Sequence, residues 1–168
     1  MKIVASGILL ISLLGAVPAF AHDAHAGRAA DIIRVGDLEL SGAFTRATLP
    51  NQPVGAGYLT ITNGGETEDR LIGGSAAFAG DVQIHEMAVV NDVMNMRELP
   101  DGLAIPAGES VVLTPGGLHI MFLQLQQALV EGEPVAVTLE FANAGTVEVE
   151  FVVAPAGARE MPAGHHGH

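Results

Sequence analysis

The sequence contains no cysteine. That absence excludes disulfides, thiolate nucleophiles, zinc–thiolate centres and thiolate-ligated copper together. Basic residues are scarce, 7 against 19 acidic ones, for a formal charge of −12. Neutralising a phosphate backbone needs clustered Lys and Arg, so nucleic acid is excluded as a partner. The same imbalance disfavours docking on an anionic membrane surface. No stretch shows a useful helical period, and no internal repeat is present. Ser41, Ser75 and Ser110 have no His at a motif spacing and there is no G-x-S-x-G, so the chain reads as a non-enzyme.

What is there begins with a leader. Lys2, the apolar run Ile3 to Leu14 and the small residues of Val17-Pro18-Ala19-Phe20-Ala21 read as a signal peptide over 1–21. Export implies a periplasmic protein with no membrane insertion after cleavage, and the 168 residues offer no cysteine for a lipoprotein anchor. Residues 22–31 then form a flexible segment, 32–153 a folded domain, and 154–168 a flexible tail rich in Ala, Gly, Pro and His.

The domain reads as all-β. Short apolar or alternating runs at 32–40, 43–48, 57–62, 70–73, 82–87, 93–99, 110–113, 118–125, 135–141 and 146–153 are separated by turn residues. Asn63-Gly64-Gly65, Pro100-Asp101-Gly102, Pro115-Gly116-Gly117 and Asn143-Ala144-Gly145 supply those turns. The spacing predicts an antiparallel sandwich or Greek-key barrel.

The histidines and methionines carry the chemistry. His85 and His119 each have Met two residues later, Met87 and Met121, and Met94 pairs with Met96 in the same way. On a strand, residues i and i+2 share a face. Each pair thus offers its donors to one volume. Thioether sulfur is neutral and soft, which suits Cu(I) better than Zn(II) or a hard cation, and imidazole adds a borderline nitrogen. Two Met with two His, or three Met with one His, would hold Cu(I) without an oxidisable thiol. A second cluster, Met161, His165, His166 and His168, is richer in imidazole and favours Cu(II).

Several segments resemble the periplasmic copper chaperones of the PCu(A)C type. They are Val82-Gln83-Ile84-His85-Glu86-Met87, Val93-Met94-Asn95-Met96-Arg97, Leu103 to Glu109 and Leu113 to Met121. Thr45-Arg46-Ala47-Thr48, Gly57 to Asn63 and Asp69 to Gly73 are similar too, so the likeness spans about 35–153. It implies a cupredoxin-like β-sandwich and Cu(I) ligands at His85, Met96, His119 and Met121. Met87 and Met94 then become neighbours or transient ligands. Phe44 departs from the tryptophan frequent in relatives, which touches packing and not the site. The implied role is delivery of copper to the copper-bearing subunit of cytochrome c oxidase, with a Sco-type assembly protein as a further partner. Storage as a copper-sequestering resistance protein uses the same ligands and is the alternative. The chain is expected to act as a monomer.

Overall fold

The computed structural model describes residues 32–162. Eleven strands run β1 Ile33–Val35, β2 Leu38–Arg46, β3 Val54–Asn63, β4 Asp69–Ser75, β5 Asp81–Val90 and β6 Val93–Glu98. They continue with β7 Leu103–Ile105, β8 Ser110–Val112, β9 His119–Leu123, β10 Pro134–Phe141 and β11 Gly145–Ala154. No helix occurs among the described residues. The hydrogen-bonded path is β6-β5-β9-β3-β2-β11-β10-β4-β7, with β1 on β2 and β8 on β3. All pairings are antiparallel except β11 with β2.

The path folds back on itself around one core. Ile84 and Ile120, near one end of the path, share a buried cluster with Leu71 and Ile105 from the other. Phe122 anchors it, edge-on to Phe78 at 5.0 Å and to Phe151 at 6.2 Å between ring centroids. Alternation does the sorting: Val82 and Ile84, Ile120 and Phe122, Leu59 and Ile61 all enter the core. Their neighbours along each strand face outward.

Two local features set what the outward face carries. In β2 the register shifts between Ser41 and Phe44, with Gly42 at φ 65°. Leu38 and Leu40 are core residues before this bulge, and Ala43 is one after it. The inserted residue thereby turns Phe44 and Arg46 outward. Between β5 and β6, Asn91 and Asp92 both have positive φ, 52° and 62°, and join Val90 to Val93 as a two-residue hairpin. Asn and Asp tolerate this backbone better than other side-chain-bearing residues.

The all-β reading of the sequence agrees with the structure, with differences in detail. The first run is two strands, because Gly36 at φ 55° reverses the chain there. The second and third parts of that region are one strand, continuous through the bulge. Leu103–Ile105 is a strand that its brevity concealed. The segment after β11 is placed as far as Pro162 and lies against the outward face. Ala158 and Met161 pack with Phe44, Tyr58 and Ala154, and Arg46 Nε donates to the Ala158 carbonyl at 2.7 Å. Residues 1–31, with the expected leader, and 163–168 lie outside the described residues.

Gly57 marks how tightly the two layers meet. A Cβ there would lie 2.8 Å from Phe122 Cζ and 2.9 Å from Phe151 Cε1. Gly57→Ala should cost about 1–3 kcal/mol through overpacking, measured as a lower urea midpoint with an unchanged slope.

Candidate metal centre

Register brings the donors together. Across β5 and β9, Gln83 stands opposite Met121 and His85 opposite His119. Across β5 and β6, Met87 stands opposite Met96 and Val89 opposite Met94. Directly opposed residues share a face. His85, Met87, Met94, Met96, His119 and Met121 therefore all lie on the outward face of three adjacent strands. The His85 and His119 rings are 5.8 Å apart between centroids. A groove of about 410 Å³ opens there, lined among others by Met87, Met96, His119, Met121, Tyr58 and Arg46.

The histidine hydrogen bonds define which nitrogens can donate a lone pair. His119 is buried, and its Nδ1 lies 3.0 Å from the Gly117 carbonyl. A carbonyl only accepts, so Nδ1 carries the proton and Nε2 keeps its lone pair. That carbonyl belongs to the Pro115-Gly116-Gly117 turn, where Gly116 takes φ 86°. It also accepts from Met87 N at 3.2 Å. His85 is held the other way round. Asp81 Oδ2 accepts from Gln83 Nε2 at 2.9 Å, which turns Gln83 Oε1 toward His85 Nε2, also at 2.9 Å. Nε2 is then the donor, and Nδ1 is the lone-pair nitrogen.

His85 Nδ1 is the one buried side-chain N or O without a hydrogen-bond partner among the described residues. Leaving such an atom unmatched costs on the order of 1–3 kcal/mol. A soft cation would give it a partner. No group of three His, Asp or Glu side chains is set to hold a metal among the described residues. The further donors beside the two imidazoles on this face are thioethers, a set that suits Cu(I). The residues fit that cargo.

The sequence-derived candidates fall in different places. Met96, His119 and Met121 line the groove, and Met87 joins them although the resemblance gave it a lesser place. His85 borders His119 instead of lining the groove. Met94 lies two residue pairs farther out on the hairpin, opposite Val89, and is exposed. Met161 packs on Phe44, Tyr58 and Ala154, beside the groove's far wall. His165, His166 and His168 lie outside the described residues. Sequence reasoning missed Arg46 and Tyr58 on that wall. The signal was the shared parity of Phe44 with Arg46 and of Ala56 with Tyr58, readable only once the bulge is known.

The family described as "Putative lipoprotein LpqE-like" matches residues 38–153. The chain belongs to the LpqE-like family. A relative from Leifsonia xyli subsp. xyli, "Putative lipoprotein Lxx21020", is 31% identical over 127 residues, covering 76% of this chain and 72% of the relative. Among solved structures, the copper-bound PCuAC domain from PmoF2 matches with TM-score 0.63 at 25% identity. The match covers 74% of this chain and 98% of that domain. The solution structure of CuI-DR1885 from Deinococcus radiodurans matches with TM-score 0.58 at 26% identity, over 76% and 83% of the two chains. The LpqE-like chain thus has the cupredoxin-like fold of PCuAC domains, and both of these solved relatives hold copper. The kinship is non-enzymatic, in agreement with the sequence reading.

Burial holds His85 below its ordinary pKa near 6.5; the adjacent His119 adds to that, and Glu98 opposes it. The ring is neutral at neutral pH, with its lone pair available. As pH falls, the unfolded chain takes up this proton first. The group's contribution to stability is present above pH 6.5 and is lost as pH drops through the lower folded pKa. Copper-free protein should therefore show a falling urea midpoint between pH 7.5 and 5.5, and His85→Gln should flatten that slope.

Proposed function

We propose that the LpqE-like chain is a copper chaperone that binds Cu(I) through His85, Met96, His119 and Met121 and releases it by ligand exchange. The observation that supports this most is the register that sets two imidazoles with defined lone pairs and four thioethers on one face. Met87 is a candidate for direct ligation, since it lines the groove opposite Met96. Met94, exposed on the hairpin, suits a role in transit. The solved relatives that hold copper support the same reading.

Ligand exchange follows from the donors. Thioether–copper bonds are individually weak, and Met96 is 48% exposed. An incoming thiolate or imidazole can displace one sulfur at a time while the buried His119 holds on. No thiolate is present to give blue-copper chemistry, so the protein carries the ion and does not shuttle electrons on it.

The setting is the periplasm. The expected leader over 1–21 and the relatives' description as lipoproteins both support export. No helix of the described residues is long and apolar enough to cross a membrane. We assign 22–31 to a lead-in, 32–153 to the copper domain and 154–168 to a tail. The recipient is the copper-bearing subunit of a respiratory cytochrome oxidase, directly or through a Sco-type protein, and the chaperone acts as a monomer. The tail residues Met161, His165, His166 and His168 supply an imidazole-rich set for Cu(II).

His119→Ala with Met121→Ala should lower Cu(I) affinity by more than about a hundredfold with the fold retained, measured by competition with a chromogenic Cu(I) chelator and by circular dichroism. Unchanged affinity would remove the ligand assignment. Cu(I)-loaded protein should metallate an oxidase copper-subunit domain in vitro. Copper retained in its presence and in that of a Sco-type protein would favour sequestration.

A further inference from the structure

The groove has a second wall whose chemistry differs from that of the copper donors. Arg46, Thr48 and Tyr58 line it, while Met87, Met96, Met121 and His119 form the other side, and no Asp or Glu takes part. In a chain of charge −12 this is unusual: the groove's one permanent charge is a guanidinium.

That guanidinium has no carboxylate among the described residues. Arg34, Arg70 and Arg97 pair with Glu39, Glu68 and Glu86. Arg46 instead donates Nε to the Ala158 carbonyl at 2.7 Å and lies over the Tyr58 ring, 5.4 Å from its centroid. Its two Nη groups make no hydrogen bond to a described residue. Tyr58 buries its ring, and its hydroxyl has no described partner either. Burial raises the pKa of that hydroxyl, with Arg46 opposing, so it remains a donor at neutral pH. Thr48 Oγ1 accepts from Leu129 N at 2.9 Å, which leaves its own proton to give.

We propose that this wall is a subsite for a carboxylate, gripped by the Arg46 Nη pair with Tyr58 and Thr48 as further donors. A guanidinium with Nε fixed elsewhere presents a planar pair of N–H groups, the geometry that a carboxylate matches. The groove admits a small acid or the side chain of an acidic residue on another protein. The subsite needs no copper, so its test is independent of the copper reading.

The sequence has one tyrosine and no tryptophan, so intrinsic fluorescence reports on Tyr58 alone. Copper-free full-length chain is titrated with malonate and, separately, with acetyl-Gly-Asp-amide, with sodium chloride at matched ionic strength as control. A saturable change absent from the chloride series is expected. Arg46→Gln should weaken it at least about tenfold, as loss of a charge-assisted pair does. Arg46→Lys keeps the charge and should recover part of the affinity, which a purely structural Arg46 would not require. Saturation by malonate supports a free small acid as the ligand. Saturation by the peptide alone, still dependent on Arg46, supports a partner's acidic side chain. No saturable response to either, a response equalled by chloride, or one undiminished in Arg46→Gln overturns the subsite.

Discussion

Strand register is the constraint on which the site depends. The side-chain period of a strand is two, so a slip of one residue between β5 and β9 would send His119 and Met121 into the core and bring Ile120 out. The core prevents that slip. Ile84, Ile120 and Phe122 are each almost wholly buried, and exposing any of them costs on the order of 2 kcal/mol. The donors themselves contribute little to holding their own arrangement. They are positioned by the apolar residues that alternate with them.

Polar contacts then refine what register places. The Gly117 carbonyl and the Asp81–Gln83 relay hold the two imidazoles in opposite tautomers, Nε2 free on His119 and Nδ1 free on His85. The unmatched His85 Nδ1 is a cost that the copper-free fold tolerates, as functional sites often do. Met96 and Met94 sit on an edge strand whose residues are all exposed, so the soft donors there are open to a second protein. In the proposed chaperone, buried imidazole would serve retention and exposed thioether release.

Much of this was legible in the sequence because it depends on parity alone. His85 with Met87, and His119 with Met121, share faces in any strand. Cysteine's absence and the scarcity of basic residues needed no structure to interpret. The pairing of His85 with His119 was not legible, since register between strands distant in sequence is fixed by core packing. Met87 was ranked below Met96, yet the hairpin sets them opposite each other. Arg46 and Tyr58 were missed because a bulge at Gly42 reverses parity midway along β2, and no local pattern announces it. The outward face also continues past β11, where Arg46 and Phe44 hold residues beyond Ala154 against it. A composition rich in Ala, Gly and Pro had suggested a free tail from that point.

The central claim is that sulfur and nitrogen from β5, β6 and β9 meet at one ion. X-ray absorption at the copper edge of the wild-type protein loaded with one equivalent of Cu(I) tests it directly. The account expects a shell of mixed sulfur and imidazole nitrogen, with sulfur reduced when Met121 is replaced by Leu. A shell of nitrogen and oxygen alone, unchanged by that replacement, would contradict it.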